Sequence, residues 1–312
     1  MGVTAKPRIT VVGSFMMDLM SKTPRLPVPG ETVMGGPFKM GPGGKGSNQA
    51  VAAARLGAQV TIVVSLGTDY FGDIAYANLE QEGIDTRFVK SVDKAHTGAA
   101  LIMVDDAKAE NMIVVASGAN ELLTPEDVDA AADAMTGADF LVLQLEVPLE
   151  TVEYTAQLAA TRGVPLILNP APARPLSPAL LERVRLLTPN ETEAELITGV
   201  PVTDIQTAEA AAKRLVGWGV KEAIITLGAK GALVATAEGC THVPGFQVDV
   251  VDSTGAGDAF NGGLAVALAE GKTLLDAVRF SNATAALSVT RVGTAPAMPR
   301  REEVLRLLAE QG

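Results

Sequence analysis

The chain repeats one pattern over most of its length: a short β-branched run, then an alanine- and leucine-rich stretch of helical length. Strands are expected at Arg8–Gly13, Gln59–Ser65, Asp139–Leu145, Pro165–Asn169, Leu186–Pro189 and Ala223–Leu227. Helices are expected at Lys45–Leu56, Gly72–Glu82, Pro125–Met135, Thr151–Thr161, Glu191–Thr198 and Thr207–Trp218, followed by Asp258–Glu270, Leu274–Arg291 and Arg301–Glu310. Several ends carry their own punctuation, such as Gly57 after Leu56 and Thr124-Pro125 opening a helix. Parallel strands need long crossovers, so the rhythm predicts a parallel sheet with helices on both faces, an α/β fold.

Two segments interrupt it. Glu31–Met40 and Thr97–Ser117 read as strands without crossover helices, the second as a hairpin with Asp105–Asn111 as its polar turn. Together they predict a small β-sheet lid over one end of the core, its strands drawn from about 14–43 and 96–118. There is no internal repeat and no linker between large units, so residues 1–312 read as one domain.

Charge and rare residues narrow the chemistry. With 25 Lys plus Arg against 36 Asp plus Glu, the net charge of −11 argues against nucleic acid or an anionic membrane as partner. A local nest of amides can still bind a small anion. Cys240 is the single cysteine, so an intrachain disulfide is excluded and a thiolate zinc site disfavoured. His96 and His242 are the only histidines, which weighs against a Ser–His–Asp hydrolase or a poly-His metal centre. No apolar run approaches the ~18 residues of a membrane span, and the N-terminal run is too short for a signal peptide, so a cytoplasmic location is expected.

Gly41-Pro-Gly43-Gly-Lys45-Gly46 fits the G-x-G-x-x-G dinucleotide pattern formally, but it follows a lid-like segment and lacks the acid expected after the next strand. It is not a Walker A loop either, because Gly46 stands where Ser or Thr belongs. The open readings are a glycine turn into a helix, or a site where Lys45 and Asn48 meet a sugar or phosphate at a helix N-terminus. Asp18, Glu146 and Asn190 each follow a predicted strand and Thr226-Leu-Gly228 closes one, at the edge where open α/β sheets bind ligands. Asn190-Glu-Thr-Glu193 reads equally as a capping box and as a hard-cation site. In Asp252-Ser-Thr-Gly-Ala-Gly-Asp258, the carboxylate of Asp258 reads as a helix cap, as a proton acceptor beside exposed amides, or as both.

The sequence resembles the ribokinase/phosphofructokinase-B family of sugar kinases nearly end to end. The resemblance is carried by Gly13-Ser14…Asp18, Pro29-Gly-Glu-Thr32, GGKGSNQA from Gly43, and Gln144-Leu-Glu146. Asn169–Ala173, Thr188–Glu195, Ile225–Gly228 and DSTGAGDAFNGG from Asp252 extend it. It implies a Rossmann-like αβα core with a lid that also forms a homodimer contact, and ATP-dependent phosphorylation of the 5-hydroxyl of ribose. Asp258 aligns with the catalytic base, and Gly255, Ala256 and Gly257 with the anion hole. The sugar would lie among Asp18, Gly44, Lys45, Asn48, Glu146 and Asp258, and the nucleotide along Asn190, Thr226, Leu227, Gly228, Gly231, Gly257 and Asn282. Asn190 and Glu193 match an element tied to Mg²⁺ and phosphate placement. A K⁺ loop maps onto Asp252, Thr254, Ser288, Arg291, Gly293 and Ala297, mostly through backbone oxygens.

Met16 departs from the family pattern, standing where many bacterial members carry a sugar-binding Asn. A thioether cannot donate a hydrogen bond, which implies relaxed selection at one sugar hydroxyl, with 2-deoxyribose as a competing substrate. Packing of Met16 beneath the lid is the alternative. Other readings are the same chemistry on another sugar or a nucleoside, and a non-catalytic sugar- or nucleotide-binding protein. Low aromatic content disfavours the nucleoside, and the presence of Asp258 and its glycines disfavours loss of catalysis.

Overall fold

A computed structural model describes residues 5–105 and 111–311. The strands are β1 (Arg8–Val12), β2 (Met16–Thr23), β3 (Phe38–Gly43), β4 (Gln59–Gly67), β5 (Asp85–Val92), β6 (Gly98–Asp105) and β7 (Asn111–Ala116). They continue as β8 (Phe140–Leu143), β9 (Leu166–Leu168), β10 (Leu186–Leu187), β11 (Glu222–Thr226), β12 (Ala232–Thr236) and β13 (Gly239–Val243). Nine strands form one sheet in the order β13-β12-β11-β10-β9-β8-β1-β4-β5. It is parallel from β5 to β11, and its last two pairings are antiparallel. Helices cover both faces of this Rossmann-like αβα core, giving the two apolar clusters expected of a sheet buried on both sides.

Three parts of the core lay beyond the expected pattern. β5 alternates charged and apolar residues at the sheet edge and is only half buried. The β12–β13 hairpin closes the opposite edge. The helix expected over Pro125–Met135 is divided into Pro125–Ala130 and Ala132–Thr136.

The second sheet, β3-β2-β6-β7, forms the lid. Its edge strand β3 is Phe38–Gly43 rather than Glu31–Met40, and β2 supplies a strand of its own. β6 and β7 pair antiparallel as a hairpin; of its expected turn, residues 106–110 lie outside the described residues.

Chain order reverses between β8 and β1: from β1 the chain builds toward β4 and β5, and from β8 toward β11. A crevice outside the strand ends opens at such a point. Two helices deliver groups to it. Helix Ala256–Ala269 is apolar nearly all round and buried along most of its length. Gly262 lets it press against helix Lys45–Arg55: a Cβ there would come within 2.5 Å of the Ala52 Cβ. That approach brings Asp258, one turn earlier, beside Asn48 and Gln49.

Candidate active site

The crevice is built from the ends of five neighbouring strands. Ser14 follows β1, Gln144 and Glu146 follow β8, Asn169 follows β9, Thr188 and Asn190 follow β10, and Thr226 ends β11. Ser14 donates its hydroxyl hydrogen to Glu146 Oε2, which also accepts the Lys45 N–H at 2.9 Å. This pairing spans the reversal point, and Gly44, with φ of 85°, lets the lid strand β3 turn directly into helix Lys45–Arg55.

Asp258 is buried at 4% exposure. Its Oδ2 accepts from Asn48 Nδ2 and its Oδ1 from Gln49 Nε2, both at 2.9 Å. The cap reading of Asp258 is corrected here. The helix begins at Ala256 rather than Asp258, and Gly255, in the left-handed region at φ 81°, is its N-cap. Asp258 stands in the first turn, its side chain directed across to helix Lys45–Arg55 instead of back to its own amides. Asn48 Oδ1 is buried with no hydrogen-bond partner among the described residues. A hydroxyl entering the site would satisfy it.

One cavity meets this wall, and a second lies beside Asp18. A narrow one of about 130 Å³ is lined by Lys45, Asn190, Glu193, Thr226, Gly255, Ala256, Gly257 and Asp258, among others. Lys45 therefore stands with the glycine loop. Burial works against its charge, but the carboxylates of Asp258, Glu146 and Glu193 outweigh this and hold its ammonium above the usual lysine range. Burial likewise pushes the Glu146 and Glu193 carboxyls up, opposed in both by Lys45. Asn190 and Glu193 do form the reciprocal capping box, Glu193 Oε2 accepting the Asn190 N–H and Asn190 Oδ1 the Glu193 N–H.

A wider cavity of about 540 Å³ lies between lid and core, lined by Asp18, Met20, Gly41, Pro42, Ile102, Asp252, Thr254, Gly293 and Thr294, among others. Asp18 and Met16 lie on one face of β2, two residues apart, and Met16 is buried at 3% exposure. Burial, opposed by a hydrogen bond from Thr294, and the fields of Glu146, Asp258 and Asp252 push the Asp18 carboxyl up to about 6.

Of the proposed cation loop, Asp252, Thr254 and Gly293 are drawn together: Asp252 Oδ1 accepts the Thr254 N–H and Oδ2 the Gly293 N–H, each at 3.0 Å. The Arg291 side chain turns away to an ion pair with Glu303, and the Ser288 hydroxyl donates to the Ala285 carbonyl. Ala297 lies in a short 3₁₀ turn. On the nucleotide side, Leu227 is buried, and Gly228 and Gly231 have positive φ. Asn282 is also buried and donates to the carbonyls of Val243 and Pro244, so it shapes the loop after β13.

Gln49, Gln144, Asn169, Thr188, Asn261 and Thr294 join the site without having stood out as functional positions. Uncharged amides in alanine-rich or β-branched surroundings look like ordinary helix and strand residues. The available signal was the polarity of Asn48-Gln49 inside an otherwise apolar stretch.

A buried carboxylate, a glycine loop opening a helix and a lysine line one cavity of an α/β core with a β-sheet lid, and these are the groups that phosphoryl transfer uses. The pfkB family carbohydrate kinase model matches residues 6–301. The chain is 45% identical over 300 residues to a ribokinase of Haemophilus influenzae, covering 96% of this chain and 98% of that one. It is 42% identical over 296 residues to a deoxyribokinase of Salmonella typhi, covering 95% and 96%. The solved structure of Arabidopsis thaliana ribokinase complexed with ribose and ATP superimposes with a TM-score of 0.89 at 33% identity, over 97% of this chain and 99% of that one. The chain belongs to the pfkB family of carbohydrate kinases. Among the described residues no helix is long and apolar enough to cross a membrane.

Proposed function

We propose that the chain is an ATP-dependent kinase, acting as one unit over residues 1–312, that phosphorylates the 5-hydroxyl of D-ribose to give ribose 5-phosphate and ADP. The observation that carries this reading is the placement of Asp258: a buried carboxylate with both oxygens held by amide donors, beside the glycine loop Gly255–Gly257 and Lys45. The names of the Haemophilus and Arabidopsis relatives support the substrates.

In this reading the sugar lies among Met16, Asp18, Gly44, Asn48 and Glu146. Asp258 takes the proton of the acceptor hydroxyl as its oxygen bonds to the γ-phosphorus and the bond to the β–γ bridging oxygen breaks. The Gly255–Gly257 amides and the Lys45 ammonium take up charge on the phosphoryl oxygens. The nucleotide runs along Asn190, Thr226–Gly231 and the loop shaped by Asn282.

Among the described residues no group of three or more Asp, Glu, His or Cys gathers as a metal cage. Mg²⁺ is held through one or two carboxylates, water and substrate phosphates, and Glu193 and Asn190, which line the narrow cavity with the glycine loop, fit that donor set. Bound there, Mg²⁺ supplies charge neutralisation on the phosphates. For K⁺, each Asp252 oxygen accepts one N–H and retains acceptor capacity, so Asp252 with the backbone oxygens of Thr254, Ser288, Arg291, Gly293 and Ala297 fits a monovalent cation. Exposed apolar residues on the lid, Phe38, Leu101, Met112 and Val114, support a homodimer through this sheet. An ATP-dependent reaction and a lone cysteine support a cytoplasmic location.

Met16 favours a second reading, in which 2-deoxyribose is also a substrate, and the Salmonella deoxyribokinase accords with it. A coupled ADP-release assay with ribose and deoxyribose, with and without K⁺, tests both. Turnover of neither sugar overturns the proposal. A kcat/KM for deoxyribose ~10⁴-fold below that for ribose overturns the second reading alone.

A further inference from the structure

Both oxygens of Asp258 are held by donors from consecutive residues of one helix, and one of those donors is itself held. Gln49 is 1% exposed and Gln144 fully buried. The Gln49 amide nitrogen donates to Asp258 Oδ1 at 2.9 Å and to Asn169 Oδ1 at 3.2 Å. Its carbonyl oxygen accepts from Gln144 Nε2 at 2.7 Å. A reversed Gln49 amide would set a carbonyl oxygen against the Asp258 carboxylate and an NH₂ against the Gln144 donor. Gln144 therefore favours the Gln49 orientation whose NH₂ faces Asp258, its own Oε1 being buried without a hydrogen-bond partner among the described residues.

The chain of bonds closes on itself. Asn169 Nδ2 donates to the Thr188 carbonyl at 3.1 Å, and Thr188 Oγ1 donates to Asn261 Oδ1 at 2.7 Å. Asn261 Nδ2 donates to the carbonyl of Gly257 at 2.8 Å, the residue preceding Asp258. The circuit thus links the ends of β8, β9 and β10 to the residue next to the proposed base and to its side chain. The Asp258 χ2 torsion is a broad, twofold-symmetric rotor on its own. Donors on opposite oxygens remove that freedom.

We propose that Gln49, oriented by Gln144, is a positioning residue that sets the roll of the Asp258 carboxylate so that a lone pair outside the amide bonds faces the acceptor hydroxyl. This rests on the reading of Asp258 as base. Misplacement of a reacting group by about 1 Å is enough to lower a rate about 100-fold, so such a hold acts on kcat.

Gln49→Met keeps the length of the side chain and removes its donor. Its kcat should fall about 10- to 100-fold, while sugar affinity by calorimetry without ATP, and nucleotide affinity, stay within about twofold. Gln144→Met, which does not touch Asp258, should show a smaller fall of the same kind. In an Asp258→Asn background Gln49→Met should change residual turnover by less than about twofold, because the group it positions is gone. Wild-type kcat in folded Q49M overturns the proposal, as do parallel losses in sugar and nucleotide affinity or an undiminished effect in the Asp258→Asn background. If Q49M does not fold, Q144M decides: wild-type kcat in that variant overturns it. Full turnover in Asp258→Asn alone would instead overturn the base reading.

Discussion

The Thr294 hydroxyl donates to Asp18 Oδ2 at 2.8 Å, joining the loop that carries Gly293 to the lid strand that faces the proposed sugar site. The same hydroxyl lies 3.1 Å from the Pro42 carbonyl of the adjacent lid strand. Asp252, which holds the Gly293 N–H, is therefore two hydrogen bonds and one peptide link from Asp18. Thr294→Val should weaken sugar binding about 10- to 100-fold, the loss expected for a hydrogen bond to a charged group of about 1.5–3 kcal/mol. Thr294→Ser should retain most of the affinity. Calorimetric titration with ribose checks this, and equal affinity in the Val variant would refute it.

Asp258→Asn should lower kcat about 10²- to 10⁴-fold, the contribution typical of a positioned base. Since Asp258 is not the helix cap, the substitution has a second effect. Asn presents one acceptor and one donor to two amide donors that the carboxylate satisfied. A stability loss of about 1–3 kcal/mol is expected, larger than a cap exchange would give. Denaturant unfolding alongside single-turnover kinetics separates the two effects.

Lys45→Met should lower kcat about 10²- to 10³-fold, in line with removal of a donor aimed at developing charge. The variant leaves Asp258, Glu146 and Glu193 without their shared cation, so nucleotide binding should weaken as well. Steady-state ADP release at saturating sugar measures the first effect and equilibrium dialysis of ATP the second. Unchanged kcat would remove Lys45 from the phosphoryl site.

The Asp18 carboxyl, raised from 3.8 to about 6, carries a pH signature. The folded protein holds this proton more tightly than the unfolded chain does. The associated stability is fully present below pH 3.8 and is lost as pH rises through about 6. Asp18→Asn should therefore gain in melting temperature over wild type as pH rises between these values, while losing sugar affinity. In the wild type, sugar KM should rise as pH falls below about 6 and Asp18 gains its proton. A melting difference that does not vary with pH contradicts the assignment.

Met16→Asn should raise the preference for ribose over deoxyribose at least about 10-fold in kcat/KM, through a hydrogen bond that a hydroxyl-lacking sugar leaves unmet. If Met16 only packs beneath the lid, the ratio stays fixed and stability alone falls. Competition between the two sugars in one assay reads the ratio directly.

The core strands from β1 to β11 were legible because burial on both faces makes each a nearly uninterrupted apolar run, and the helices between them had clear ends. β5 was not, because an edge strand with one wet face reads Asp-Thr-Arg-Phe-Val-Lys-Ser-Val. At the site, Asp18, Lys45, Glu146, Asn190 and Asp258 stood out as polar residues at strand ends or glycine turns. The circuit around Gln49 did not, since its bonded members lie up to 209 residues apart and meet only when helices Lys45–Arg55 and Ala256–Ala269 pack. Long-range hydrogen bonding of neutral amides leaves no periodicity in a sequence. The start of helix Ala256–Ala269 was displaced for a local reason: Gly255-Ala-Gly257 looks like loop, yet Gly255 alone provides the left-handed turn.

The lid strands are rooted in the site. β2 begins at Met16, soon after β1 ends at Val12, and β3 ends at Gly43, with Gly44 alone before Lys45, and Met16 and Gly43 are paired in register. The root of the sheet and the proposed sugar-facing residues are thus the same few positions, while β7 lies at the sheet's far edge. The outer residues, such as Met112 and Val114, can drift through evolution or be redesigned to test the proposed self-association while the groups of the proposed site stay in place. Changes at Met16–Asp18 or Gly43–Gly44 have no such latitude, because they would alter the root of the sheet and the proposed binding surface at once.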